Sequence, residues 1–178
     1  MALASHRHIS SCLCSIHSSL CYSTRPEMER SSLQRQLANL KKSLFDQGNL
    51  DEQFDQLEEL QDDASPNFVE EVVTLFFRDS SRLVANIEQA IEKSPRDYGS
   101  LDALVHQLKD SASSIGAAKM MKECTVFREY CDKRNLEGCL RSFQKVKKEH
   151  STLRLKLENY FQLLRQVGPA EKATRSGN

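Results

Sequence analysis

Beyond residue 27 the chain alternates apolar and polar positions with a helical period and almost no interruption. Leu33, Leu37, Leu40 and Leu44 recur at steps of three and four, and Gly48 stops that run. Asn49 is placed to cap a second, short helix with Leu50, Phe54, Leu57 and Leu60 on one side. Its other side carries Asp51, Glu52, Asp55, Glu58, Glu59, Asp62 and Asp63, the pattern of a solvated face. Ser65-Pro66 reads as cap and first turn of a third helix that turns Phe68, Val69, Val72, Val73, Phe76, Leu83, Val84, Ile87 and Ile91 inward and ends near Ser94-Pro95. A fourth helix is predicted over 99–115 with Gly116 as its stop. A fifth spans 117–133 and buries Met120, Met121, Cys124, Phe127 and Cys131. A sixth starts after Asn135 and runs to about residue 166 along Leu136, Leu140, Phe143, Val146, Leu153, Leu157, Tyr160, Phe161 and Leu164, before Gly168-Pro169. Six helices, the later four long and amphipathic, predict an all-α chain: an antiparallel four-helix bundle with two additional helices at its N-terminal end.

Composition agrees with this pattern and narrows the function classes. The 178 residues have room for one domain; glycine (6) and proline (4) are few, tryptophan is absent, and no apolar run is long enough for a transmembrane helix. Formal net charge is zero, so the whole-chain field offers no argument for nucleic acid or a membrane surface. Cys124, Cys131 and Cys139 sit inside helical patterns and read as small buried residues in a reducing compartment rather than a disulfide framework. Residues 1–26 contain no acid, seven serines, and Arg7 and Arg25 as their only formal charges. That segment reads as an organellar transit peptide or as an extension ahead of an internal start at Met28. Its His6, His8, Cys12, Cys14, His17 and Cys21 match no zinc spacing well. The expected organisation is a disordered or targeting extension over 1–27, a helical domain over 28–168 and a flexible tail over 169–178.

Two histidines separate on helical wheels at about 100° per residue. In the fourth helix Leu101, Leu104, Val105, Leu108, Ala112 and Ile115 define the buried face, and His106 lies about 150° from its centre. His106 is therefore expected to face solvent, with Asp102 and Ala103 before it and Lys109, Asp110 and Ser113 after it. His150 sits within the apolar stripe of the last helix, between Val146 and Leu153, and is expected to pack. An outward histidine is most often an ordinary surface residue. Lys109 raises this one, since an ammonium one turn away can neutralise a phosphoryl group on the ring. Imidazole is a competent nucleophile near neutral pH, and the phosphoramidate it forms can be passed on.

The stretch 105–117, Val-His-Gln-Leu-Lys-Asp-Ser-Ala-Ser-Ser-Ile-Gly-Ala, closely resembles the phospho-acceptor motif of plant histidine-containing phosphotransfer proteins. The segments 50–54, 66–72, 123–131 and 147–154 resemble the same family, so the likeness runs over 28–168. It implies a six-helix carrier that shuttles phosphoryl between receiver domains of hybrid sensor kinases and response regulators, in plants for cytokinin signalling in cytoplasm and nucleus. By the resemblance, His106 is the acceptor through Nε2 and Lys109 the charge partner. Gln107 also matches, though it lies about 100° from His106 on the wheel. The family usually has glycine where this chain has Asp110. At about 5 Å and an effective dielectric near 20, a carboxylate beside a phosphoryl costs on the order of 3 kcal/mol per unit-charge pair, enough to slow transfer roughly tenfold to a hundredfold. The opposite expectation is that Asp110 hydrogen-bonds Nδ1 and sharpens the nucleophile.

No phosphate loop, kinase motif or metal-binding carboxylate cluster is visible, so the chain is expected to be a carrier and not an enzyme, holding no cofactor or metal of its own. Its receiver partner is expected to bring the aspartate and Mg²⁺, and the chain itself to be monomeric. Exposed residues near His106 would dock the receiver, with Phe54 and Phe77 as candidates. Rival readings are a receiver-binding protein of the same fold with impaired transfer and a purely structural bundle.

Overall fold

The computed structural model describes residues 24–168. Expectations for 1–23 and for the tail beyond Gly168 lie outside the described residues. Six helices follow in order: α1 Thr24–Asp46, α2 Glu52–Glu59, α3 Phe68–Glu92, α4 Tyr98–Ser114, α5 Ala118–Asp132 and α6 Leu136–Val167. No strand occurs among the described residues.

Pairs across α3 and α6 run in opposite numerical directions. Glu70 meets Arg165, Ser80 meets His150, and Glu88 meets Lys147, so the two helices are antiparallel. The same order reversal relates α5 to α6 through Phe127–Phe143 and Cys131–Cys139. With α4 packed between α3 and α5, these four helices form the predicted bundle, and α1 lies along α6. The core is one cluster in which Leu101, Val105, Leu108 and Ala112 of α4 meet Met120, Cys124 and Phe127 of α5 and Val146, Leu153 and Leu157 of α6. Cys124, Cys131 and Cys139 are buried free thiols, as read from the helical patterns.

α2 seats on this bundle through Phe54, which is fully buried with ring centroids 6.5 Å from Phe45 and 6.2 Å from Tyr160. Burial of a ring of that size contributes about 2–3 kcal/mol. The expectation that Phe54 and Phe77 are docking candidates is therefore wrong: both are core residues, and Phe77 packs edge-on to Phe76 and His150. Nor is the acidic side of α2 wholly solvated. Lys41 of α1 pairs with Asp55 at 2.6 Å and Glu58 at 2.5 Å, and the Tyr160 hydroxyl donates to Glu58 at 2.6 Å.

Two helix starts differ from the pattern reading. α2 is capped by Asp51, which accepts from Gln53 N, because Asn49 is buried and its amide still bonds Leu44 of α1. Ser65-Pro66 lies in the turn before α3, whose N-cap is Asn67; Gln61 Oε1 accepts from Val69 N instead. Asp97, not singled out by the pattern, caps α4 by accepting from Gly99 N and Ser100 N. Between α4 and α5, Gly116 takes φ +69° and its carbonyl accepts from Asp51 N at 3.0 Å, which ties the α4 end to the α2 start.

Candidate functional site

α4 is fixed on its buried side, where Leu101, Val105, Leu108 and Ala112 are each 1% exposed or less. A helix held that firmly presents its opposite face without the help of a loop. His106 stands on that face with its side chain 54% exposed. The wheel position is confirmed, and so is the contrast with His150. The latter is buried, with Nε2 2.8 Å from Ser80 Oγ and rings of Phe76 and Phe77 beside it. Burial holds the His150 imidazole below its ordinary value, with a smaller contribution from the Arg154 charge.

Three side chains surround the His106 ring. On α4, Asp110 Oδ2 lies 3.5 Å from Nε2. Across the helix pair, Arg128 Nη1 of α5 lies 3.2 Å from Nδ1. Asp102, one turn before His106, grips Arg128 with both oxygens, at 2.7 Å to Nε and 3.0 Å to Nη2. That bidentate pair holds Asp102 below the usual carboxylate range, chiefly through the Arg128 hydrogen bond, and raises Arg128 in return. Asp102 thus acts on the ring through Arg128. The expectation that Asp110 could bond Nδ1 is not met, because Arg128 occupies that nitrogen and Asp110 reaches the other one.

Lys109 is half-buried and makes no ion pair among the described residues. Its charge opposes the burial that pushes the Cys124 thiol of α5 up to about 12. Gln107 and Ser113 are exposed and form no side-chain hydrogen bond among the described residues, so the geometry brings neither to the ring.

Arg128 is the residue at the His106 ring that sequence reading missed. It follows buried Phe127 at the edge of the α5 apolar stripe, next to a helix whose outward face carries acids one turn on either side of His106. No group of three or more potential metal ligands occurs among the described residues, and none of their helices is long and apolar enough to cross a membrane.

An outward imidazole on a rigid α-helical bundle, ringed by charged groups, can now be set beside known proteins. The Hpt domain family matches residues 71–166. The chain is 66% identical over 149 residues to pseudo histidine-containing phosphotransfer protein 2 of Oryza sativa subsp. japonica, covering 84% of this chain and 99% of that one. It is 65% identical over 116 residues to histidine-containing phosphotransfer protein 4 of Arabidopsis thaliana, covering 65% and 91%. The crystal structure of a histidine-containing phosphotransfer protein from Medicago truncatula superposes with a TM-score of 0.73 at 44% identity, covering 76% of this chain and 92% of that one. This chain therefore belongs to the plant histidine-containing phosphotransfer family, the Hpt domain proteins of two-component phosphorelays.

Proposed function

We propose that the chain is a phosphorelay carrier: Nε2 of His106 takes a phosphoryl group from the receiver domain of a sensor kinase and passes it to the receiver aspartate of a response regulator. The observation that carries this reading is the half-exposed His106 ring on the outer face of a firmly packed helix, with Arg128 3.2 Å from Nδ1 and Lys109 three residues on in the same helix. An approaching phosphoryl group gains from both charges, and the helix keeps the nucleophile in place without reorganisation. The chain supplies no kinase or ATPase machinery in this scheme; the receiver contributes its aspartate and its Mg²⁺. Relatives such as the Arabidopsis histidine-containing phosphotransfer protein 4 support the assignment of partners. We further propose cytokinin-type signalling as the pathway, cytoplasm and nucleus as the compartments, and a monomer as the working form.

Incubation with a phosphorylated receiver domain tests the reading. Acid-labile, base-stable phosphate is expected on the wild type and not on His106→Gln; equal labelling of the two proteins would refute it.

A second reading rests on one contact: Asp110 beside Nε2 places a carboxylate where a phosphoryl group must sit. Three rice relatives at 64–67% identity carry the prefix pseudo in their names. Under this reading the chain binds receivers and blocks transfer. Receiver binding without His106 phosphate is its signature.

A further inference from the structure

Among the described residues, Asp110 is paired with no cation of its own chain apart from the His106 ring, whose Nε2 lies 3.5 Å from Oδ2 and is charged only when protonated. Arg128 is committed elsewhere: Nε and Nη2 hold Asp102 at 2.7 and 3.0 Å, and Nη1 stands 3.2 Å from His106 Nδ1. The Asp110 side chain is 65% exposed and makes no side-chain hydrogen bond among the described residues. An ionised carboxylate accepts at about four lone-pair sites, so Asp110 faces solvent with most of its capacity unused.

The carboxylate is also held in place. Leu108 and Ala112, on either side of it along α4, are fully buried, so the backbone that carries it is fixed, and an aspartate has only two side-chain torsions to vary. A phosphoryl group on Nε2 would set its oxygens two bonds from that nitrogen, and Oδ2 already stands beside the same nitrogen. A receiver docked on this face therefore meets a carboxylate where a phosphorylated carrier would present phosphoryl oxygens. Phosphoryl transfer brings a divalent cation against those oxygens, because the metal neutralises the charge on the moving group. Mg²⁺ takes oxygen ligands, keeps several waters, and is held through one or two carboxylates together with phosphate oxygens. In an unphosphorylated receiver the phosphate positions on the cation fall to water, which a carboxylate can displace.

Building on the second reading, in which receivers are held without transfer, we infer that Asp110 is a ligand for the Mg²⁺ of an unphosphorylated receiver and that it selects this state of the partner. One Mg–water bond breaks and one bond from Mg to an Asp110 oxygen forms, with no change of protonation or oxidation state. A phosphorylated receiver offers no such place. Its phosphoryl oxygens occupy the cation, and their negative charge opposes the carboxylate. Asp110 thus attracts one receiver state and repels the other. The chain does not hold the cation alone, since no group of three or more potential metal ligands occurs among the described residues. The coordination shell is complete only in the complex, with the remaining ligands from the receiver and from water.

Titration calorimetry on the full chain tests this, with an isolated receiver domain as the probe. Wild type is expected to bind the unphosphorylated receiver about tenfold more tightly in Mg²⁺ than in EDTA, within the usual range for coupling between two bound groups. By reciprocity the chain tightens the receiver's hold on Mg²⁺ by the same factor. Asp110→Asn keeps the shape, loses the charge, and is expected to abolish that gain. Asp132→Asn removes an exposed acid on the Arg128 flank of α5 and is expected to keep it. A receiver carrying beryllofluoride, a stable stand-in for the phosphoryl group, is expected to bind wild type more weakly than the empty receiver in Mg²⁺, and to lose that disadvantage with Asp110→Asn. An equal Mg²⁺ gain in wild type and Asp110→Asn overturns the ligand role. So does a gain lost equally in Asp132→Asn, which is charge alone, or saturable Mg²⁺ binding by the chain without receiver. A chain that binds no receiver in any state overturns the ligand role and the second reading together. An Asp110-dependent Mg²⁺ gain in a chain that takes phosphate on His106 as fast as Asp110→Gly overturns the second reading instead and leaves the ligand role standing.

Discussion

Gly116 joins the helix that carries His106 to the small helix α2, and replacing it with alanine separates two effects that are usually confounded. Its backbone is left-handed, at φ +69°, so any Cβ there costs roughly 1–2 kcal/mol of local strain. A Cβ would also stand 2.6 Å from Asp51 Oδ1 and 2.8 Å from Phe54 N, distances that van der Waals contact does not allow. Phe54 N is backbone and cannot swing aside as a flexible side chain would. The α2 start must retreat, and with it the 3.0 Å bond from Asp51 N to the Gly116 carbonyl, whose loss costs a further 0.5–1.5 kcal/mol or about that. The sum for Gly116→Ala is about 1.5–3.5 kcal/mol. Gly48 is the internal control. It has nearly the same φ, +64°, but nothing within 4 Å of its would-be Cβ, so Gly48→Ala pays the strain alone. Urea unfolding monitored by circular dichroism should give a midpoint for Gly116→Ala well below that of Gly48→Ala. Thermal midpoints should fall by roughly 5–10 °C and 3–6 °C, taking about 3 °C per kcal/mol for a chain of this size. Equal losses at the two glycines would show that α2 does not press on the α4–α5 turn.

Stability should also report the buried histidine. The folded state holds His150 below its ordinary value of 6.5, so near and below pH 6.5 the unfolded chain binds the extra proton and the folded chain does not. The resulting stability is present above pH 6.5 and declines as the solution is acidified; urea midpoints between pH 7.5 and 5 should fall, and His150→Leu should flatten that slope. Tyr160→Phe removes a 2.6 Å hydrogen bond to Glu58, a charge-assisted contact that links α6 to α2. A loss of about 1.5 kcal/mol in denaturant unfolding is expected, without change in His106 loading, and a neutral effect would place Glu58 wholly with Lys41.

The helices were legible because their apolar stripes are long. A period of three and four over several turns leaves little choice about which face of α4 or α6 goes inward, and the split between His106 outside and His150 inside follows from that period alone. Caps were less legible, because a cap depends on where the preceding chain is held. Asn49 is a good capping residue by type, but its amide closes the end of α1 at Leu44, and the next polar residue in line, Asp51, takes the role. Phe54 and Phe77 were misread for a related reason: an aromatic ring near a presumed docking face is indistinguishable, by type, from one that fills the gap between two helices.

Arg128 shows where single-helix periodicity stops. Asp102, His106 and Asp110 follow each other at steps of four, so they form one stripe on α4 with an acid on each side of the imidazole. Once α4 and α5 are taken as antiparallel neighbours, the α5 residues that border its buried stripe on one flank are Met121, Thr125, Arg128 and Asp132. Only one of those four carries positive charge. An acidic stripe laid beside that flank has a single cation to pair with, and Arg128 takes both oxygens of Asp102 while setting its third nitrogen 3.2 Å from His106 Nδ1. The chemistry of the site is therefore written in two helices jointly, and neither helix read alone contains it.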